Sequence, residues 1–167
     1  MTFVDDVPDK GSRFAALKYF IILTLAVGAV AAVVTEPEIA GWYGALNKPS
    51  FNPPNWLFAP VWTALYVIMA VAAWRLWRIA GLKSLPLILF FVQLALNFAW
   101  SFLFFHFHLI GVALADIGLL LLLIIMTAVA FWRRERIAGL LLVPYIAWVG
   151  FAAVLNLAIW QLNQPGA

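Results

Sequence analysis

Cysteine is absent from this 167-residue chain, which excludes disulfides and thiolate metal sites. Charge is scarce: 10% of the residues are Asp, Glu, Lys or Arg, where soluble domains carry about a quarter. Five apolar stretches fill most of the sequence, and Asp116 is the sole acidic residue inside any of them. The chain holds two histidines, His106 and His108. Their spacing puts them on different faces of a helix, so they read as interfacial polar tips and no metal site is expected. There is no Ser-His-Asp pattern for hydrolysis. Neither an internal repeat nor a charge-lined path is visible, and transporters commonly have both.

Apolar and aromatic surface is what the chain has in abundance. Hydrophobic residues make up 66%, with nine Trp and fourteen Phe. A water-soluble core of this size cannot hide so much, so lipid must. The expected fold is an all-α integral membrane protein, a bundle of five transmembrane helices at about 14–34, 57–77, 85–105, 109–132 and 137–160, each long enough to cross a bilayer. They form a single domain, 14–163, between a polar segment 1–13 and a tail 164–167. Pro37, Pro49, Pro53 and Pro54 break the chain after the first span. Gly81 and Pro86 mark the second turn, and the run Arg133, Arg134, Glu135, Arg136 marks the fourth.

Five spans put the termini on opposite sides. Lys10, Arg13, Lys18, Arg75, Arg78, Lys83, Arg133, Arg134 and Arg136 fall on one side, and Lys48 alone on the other. The positive-inside rule then makes the N-terminus cytoplasmic and puts the C-terminus and loop 35–56 outside. A cleavable signal peptide ending near Ala29-Val30-Ala31 is the rival reading. The apolar run continues through Val34 and follows Asp5, Asp6 and Asp9, which favours a retained span.

With ~1.5 Å of rise per residue, Trp62, Tyr66, Asn97, Asp116 and Asn156 all fall in the outer half of the bundle. Gln93, Asn97, Trp100 and Phe104 share one face of the third span. Tyr145, Trp148, Ala152, Leu155 and Asn156 share a face of the fifth, and Trp62, Tyr66, Met69 and Ala73 a face of the second. Amides and hydroxyls are costly against lipid, so these faces turn inward. Such groups serve either as hydrogen-bonding glue between helices or as the lining of a cavity for a large, flat, apolar ligand with polar edges. Asp116 is expected to be a structural partner for a backbone donor, a Trp N–H or an Asn amide. The segment from Trp42 to Trp56 holds four aromatics and three prolines. It reads as an ordered lid over the outer mouth, with an interfacial loop on headgroups as the alternative.

Several motifs carry a resemblance. Gly41-Trp42-Tyr43, Leu46-Asn47-Lys48-Pro49-Ser50, Asn52-Pro53-Pro54 and Ala59-Pro60-Val61-Trp62-Thr63-Ala64-Leu65-Tyr66 come first. Leu96-Asn97-Phe98-Ala99-Trp100, Ala113-Leu114-Ala115-Asp116 and Val143-Pro144-Tyr145-Ile146-Ala147-Trp148 follow, then Ala152 and Leu155-Asn156. Over residues 14–163 the chain resembles the TspO/MBR family, the tryptophan-rich sensory and translocator proteins, also called peripheral-type benzodiazepine receptors.

The resemblance implies a five-helix bundle with a loop-capped cavity, usually a homodimer, that binds porphyrins and related tetrapyrroles and synthetic benzodiazepine-site ligands. Bacterial members resemble sensors tuning tetrapyrrole metabolism or stress responses, and the basic-residue asymmetry points to a bacterial inner membrane for this chain. Some relatives degrade protoporphyrin with light and oxygen, and the two tryptophans concerned match Trp62 and Trp148. The other cavity positions match Tyr43, Tyr66, Asn97, Trp100 and Ala152, with Leu155 beside them. Relatives pair through the third span, where Ala95 and Ala99 form a small-xxx-small pair. Gly28 with Ala32, and Gly111 with Ala115, form others.

Phe51 departs from the Trp of many relatives. Near the end of the fifth span, Leu155-Asn156-Leu157 and Trp160-Gln161 lack the Tyr and basic residue of the animal cholesterol motif, so sterol recognition is not expected. The expected function is a porphyrin-binding membrane sensor, its lid opening on the outer side and no cofactor required. A light-dependent porphyrin-degrading enzyme is the alternative and a porphyrin transporter the third reading. No nucleic-acid partner is expected, because the basic residues are spread over the helix flanks.

Overall fold

The computed structural model describes residues 10–164, and these are helical wherever they are regular. Residues 1–9 of the polar N-terminal segment and 165–167 of the tail lie outside the described residues, and with them Asp5, Asp6 and Asp9. Five stretches are long and apolar enough to cross a membrane: Phe14–Ala40, Asn55–Ala80, Leu85–His106, Ile110–Arg134 and Arg136–Leu162.

The first span is α1 (Lys10–Ala40). It continues past Val34 with Pro37 inside it, although proline forfeits one helical hydrogen bond. Tertiary contacts hold the extension: Glu38 Oε2 lies 3.1 Å from His108 Nε2, and Thr35 and Ile39 border an internal cavity. A single turn, α2 (Trp42–Ala45), opens the loop. A 3-10 turn at Asn55–Leu57 leads into α3 (Phe58–Ala80), which ends at Gly81. Gly81 takes φ 71°, a conformation glycine adopts without the Cβ penalty, and its N–H caps the Trp77 carbonyl.

The third span is α4 (Leu85–Ser101), with Pro86 in its first turn. It closes in a π-helical turn, Phe102–His106. The chain then reverses through His108, a non-glycine residue at φ 56°, whose ring stacks on Trp42 at 4.1 Å and 16°. The fourth span is α5 (Ile110–Arg134). The fifth is two helices, α6 (Arg136–Leu141) and α7 (Val143–Leu162), instead of one continuous rod. Pro144 sits in the first turn of α7 and cannot donate back into α6, so the chain breaks at Leu142.

The core follows from helical periodicity. Leu65, Met69, Ala72, Ala73 and Leu76 line one face of α3 and are all buried. They meet Leu87, Phe90 and Leu94 of α4, Ile117, Leu120, Ile124 and Phe131 of α5, and Tyr145 and Val149 of α7. Outward faces stay apolar, as with Val92, Val112, Leu119, Leu122 and Val129. Such a surface suits a bundle solvated by acyl chains. α1 crosses α3 closely at Gly28, where a Cβ would overlap the Tyr66 ring, and Thr24 Oγ1 donates to the Tyr66 carbonyl at 3.0 Å.

Candidate functional site: an aromatic cavity at the loop end

Beyond that crossing the helices no longer fill the space between them. A cavity of about 650 Å³ occupies the half of the bundle nearest the loop, within the size range of small-molecule pockets. Tyr43, Trp62, Tyr66, Asn97, Trp100, Trp148, Ala152 and Leu155 all lie on its wall, and so does Asn156. The π-helical turn widens the backbone so that two consecutive residues, Phe104 and Phe105, both border the space.

The wall is an aromatic shell. Trp62 lies 5.7 Å from Tyr66 and 6.3 Å from Tyr145 between ring centroids. Trp148 meets Phe58 edge-on at 6.0 Å and Phe151 at 5.7 Å. Trp100 stacks on Phe104 at 5.2 Å. Rings at such distances and tilts hold one another in place.

Four polar groups in the wall pair with each other. Tyr66 Oη donates to Asn97 Oδ1 at 2.6 Å. Trp100 Nε1 donates to Asn156 Oδ1 at 3.1 Å, and Asn156 Nδ2 donates to the Ile110 carbonyl, tying α4, α7 and α5 together. The Trp148 indole N–H is buried and meets no hydrogen-bond acceptor. An unmet buried donor costs about 1–3 kcal/mol.

The loop contributes Tyr43 and Asn55 to the cavity lining and is held by its own hydrogen bonds. Tyr43 is 5% exposed, and its hydroxyl donates to Asn52 Oδ1 at 2.7 Å. Burial pushes its pKa up, outweighing the opposing Asn52 contact, so it stays a neutral donor. Lys48 Nζ donates to the carbonyls of Tyr43, Gly44 and Leu46. Asn47 and Asn163 exchange hydrogen bonds at 3.0 and 2.9 Å, fastening the loop to the end of α7.

Two of the polar residues expected at the site lie off the cavity wall. Gln93 accepts from the Tyr145 hydroxyl at 2.9 Å and leaves its Nε2 without a partner. Asp116 Oδ2 is buried and meets none of the donors expected for it. The sequence reading missed the contribution of α1, which supplies Leu25, Gly28, Ala29, Ala31, Ala32, Thr35, Glu36 and Ile39. The run of small residues from Gly28 to Ala32 was the available signal. It reads equally well as a helix contact, and ending the span at Val34 hid Glu36 and Ile39. Among the described residues no group of three or more His, Cys, Asp or Glu is placed to hold a metal.

A five-span membrane bundle with an aromatic cavity is the class of protein defined by this geometry. The TspO/MBR family matches over residues 20–161, and the chain belongs to that family. It is 43% identical over 154 residues to the tryptophan-rich protein TspO of Chlorobaculum tepidum, covering 90% of this chain and 98% of that one. It is 43% identical over 127 residues to the translocator protein of Sus scrofa, covering 74% and 75%. With the tryptophan-rich sensory protein of Cereibacter sphaeroides the identity is 36% over 144 residues, 86% and 90% of the two chains.

Proposed function

We propose that the protein is a tetrapyrrole-binding membrane sensor that holds a porphyrin in the aromatic cavity. The observation that carries this is a space of about 650 Å³ walled by aromatic rings, with Trp62, Tyr66, Trp100 and Trp148 among its lining. A flat macrocycle stacks on such rings. Trp62 and Tyr66 supply further stacking surface, and Asn97 holds the Tyr66 hydroxyl in place. The ordered loop from Tyr43 to Asn55 acts as the lid. The basic ends of the spans support a cytoplasmic N-terminus in a bacterial inner membrane. Light- and oxygen-dependent degradation of the bound porphyrin is the second reading, favoured by the presence of both Trp62 and Trp148 in the cavity lining.

The test is protoporphyrin binding to purified protein, followed by tryptophan quenching in the dark and then under light. Trp62→Phe and Trp148→Phe are each expected to weaken dark binding about tenfold, the ~1.4 kcal/mol typical of a lost aromatic contact. Dark binding with no light-driven loss beyond bleaching of free porphyrin supports the sensor. Turnover lost in both variants supports the enzyme. A wild-type protein that binds no protoporphyrin overturns both.

We also infer a homodimer through α4. Ala95 is exposed and Ala99 half-buried on that helix, whereas Gly28 is taken up by Tyr66 inside the bundle. Ala95→Leu with Ala99→Leu is expected to yield a monomer in detergent sizing, and an unchanged dimer refutes this interface.

A further inference from the structure

We propose that the cavity is loaded sideways from the bilayer, through a slot between α1 and the start of α3, while the loop stays shut. The inference rests on the porphyrin-binding reading for its probe and on exposure for its geometry. Of the residues bordering the cavity, the exposed ones are Ala29, Ala32 and Glu36 on one helix and Asn55, Ala59 and Thr63 facing them. Those contributed by α4 and α7 are buried or half-buried. Each exposed set recurs at intervals of three or four residues, so each forms the edge of one helix. The two edges are the rims of one opening.

The local sequence explains why the wall is open there. α1 and α3 are clamped at Gly28, Thr24 and Tyr66. Beyond the clamp four of the six rim residues are alanine or threonine, too short to fill the space between the helices. From Ala29 to Glu36 the slot runs about 10 Å along α1. Ala29 lies about 16 Å from the end of α1, which places that end of the slot at hydrocarbon depth. Glu36 is the rim's one formal charge, and among the described residues it has no hydrogen-bond or ion-pair partner. The slot therefore presents an apolar throat with one carboxylate at its outer end. That is the form required by a flat, amphiphilic ring dissolved in lipid with a polar edge at the headgroups.

The loop offers the opposite picture. Lys48 closes it on three of its own carbonyls. The reciprocal Asn47–Asn163 bonds tie it to α7. Loading through the loop breaks these contacts, and loading through the slot breaks none.

The experiment compares two blocks in phospholipid nanodiscs by stopped-flow quenching with protoporphyrin. Ala32→Phe with Ala59→Phe plugs the slot. Asn47→Cys cross-linked to Asn163→Cys locks the loop, and the absence of native cysteine makes that link unambiguous. The slot plug is expected to slow association at least tenfold and to slow dissociation too, since a merely weakened site would release faster. The locked loop is expected to stay within twofold of wild type. Slowing by the loop lock, alone or as much as by the plug, overturns the proposal. Helical content and monodisperse elution check folding, and Ala32→Leu with Ala59→Leu is the milder plug if the Phe pair fails.

A ligand-free readout separates this proposal from the porphyrin reading. Phospholipids brominated on the acyl chains are expected to quench emission that is absent in Trp148→Phe, and the plug is expected to remove that quenching. If protoporphyrin does not bind wild type, the porphyrin reading falls and this quenching alone decides the slot. Its absence in wild type overturns the slot.

Discussion

Gly139→Ala is expected to destabilise the bundle by about 1–3 kcal/mol, the range for forcing a methyl group into a closed contact. A Cβ at Gly139 meets the backbone nitrogen of Trp132 at 2.7 Å and its Cα at 2.8 Å. The obstacle is main chain, which cannot swing aside as a side chain does. α5 and α6 meet backbone to backbone here, immediately around the break at Glu135. Alanine is the better helix former by about 1 kcal/mol, and the overlap must exceed that gain for the sign to hold. Gly150 supplies the control: nothing lies within 4 Å of its added Cβ, so Gly150→Ala should be neutral or stabilising. Midpoints of unfolding in a denaturing-detergent titration check both. A Gly139→Ala midpoint at or above wild type means that α6 slides away freely. The effect reaches the cavity, because α6 leads into α7, which carries Trp148, Ala152 and Leu155.

Spans and the cavity-facing stripes of the second, third and fifth spans were legible because lipid enforces two simple rules. Apolar length sets the crossing, and polar or aromatic groups at depth turn inward. Trp62, Tyr66, Asn97, Trp100 and Trp148 stand out under those rules, and all five border the cavity. The α1 wall was not legible for the opposite reason. It contributes small residues, and a small residue carries the same signal whether it faces a neighbour, as Gly28 does, or an empty space, as Ala32 does. Pro37 was read as an end because local propensity says so, but Glu38 and His108 hold the turn in place from outside it. The widened turn at Phe102–His106 has no local sequence signature, since its extra residue is set by packing against Trp42 and Tyr43. Asp116 marks the limit of reasoning from rarity. Its isolation was visible, and its buried oxygen gains no donor from the fold.

The second large effect is expected at the opposite end of the bundle. Arg75 on α3 makes a two-pronged pair with Glu135, Nε to Oε2 and Nη2 to Oε1, both at 2.9 Å. The same carboxylate caps α6, accepting from the N–H groups of Ile137 and Ala138. One side chain thus joins α3 to the α5–α6 break and satisfies two otherwise orphaned donors. Arg75→Met leaves the cap and removes the pair. It should cost about 1–3 kcal/mol, less than the ~3–5 kcal/mol of a fully buried pair, because the two side chains keep 29% and 21% exposure. Glu135→Ala removes the cap as well and should cost about 1 kcal/mol more. The pair also fixes a pH dependence. Arg75 holds the Glu135 carboxyl down to about 2 from its usual 4.5, with the Ala138 and Ile137 N–H groups adding and partial burial opposing. A folded pKa below the unfolded one contributes stability that is complete above about 4.5 and is lost as pH falls toward 2. Wild type should therefore lose more stability between pH 5 and pH 2 than Arg75→Met does, in parallel detergent-unfolding titrations. Equal slopes for the two proteins would mean that the pair carries no charge-dependent stability, and that α3 is held to the α5–α6 break by packing alone.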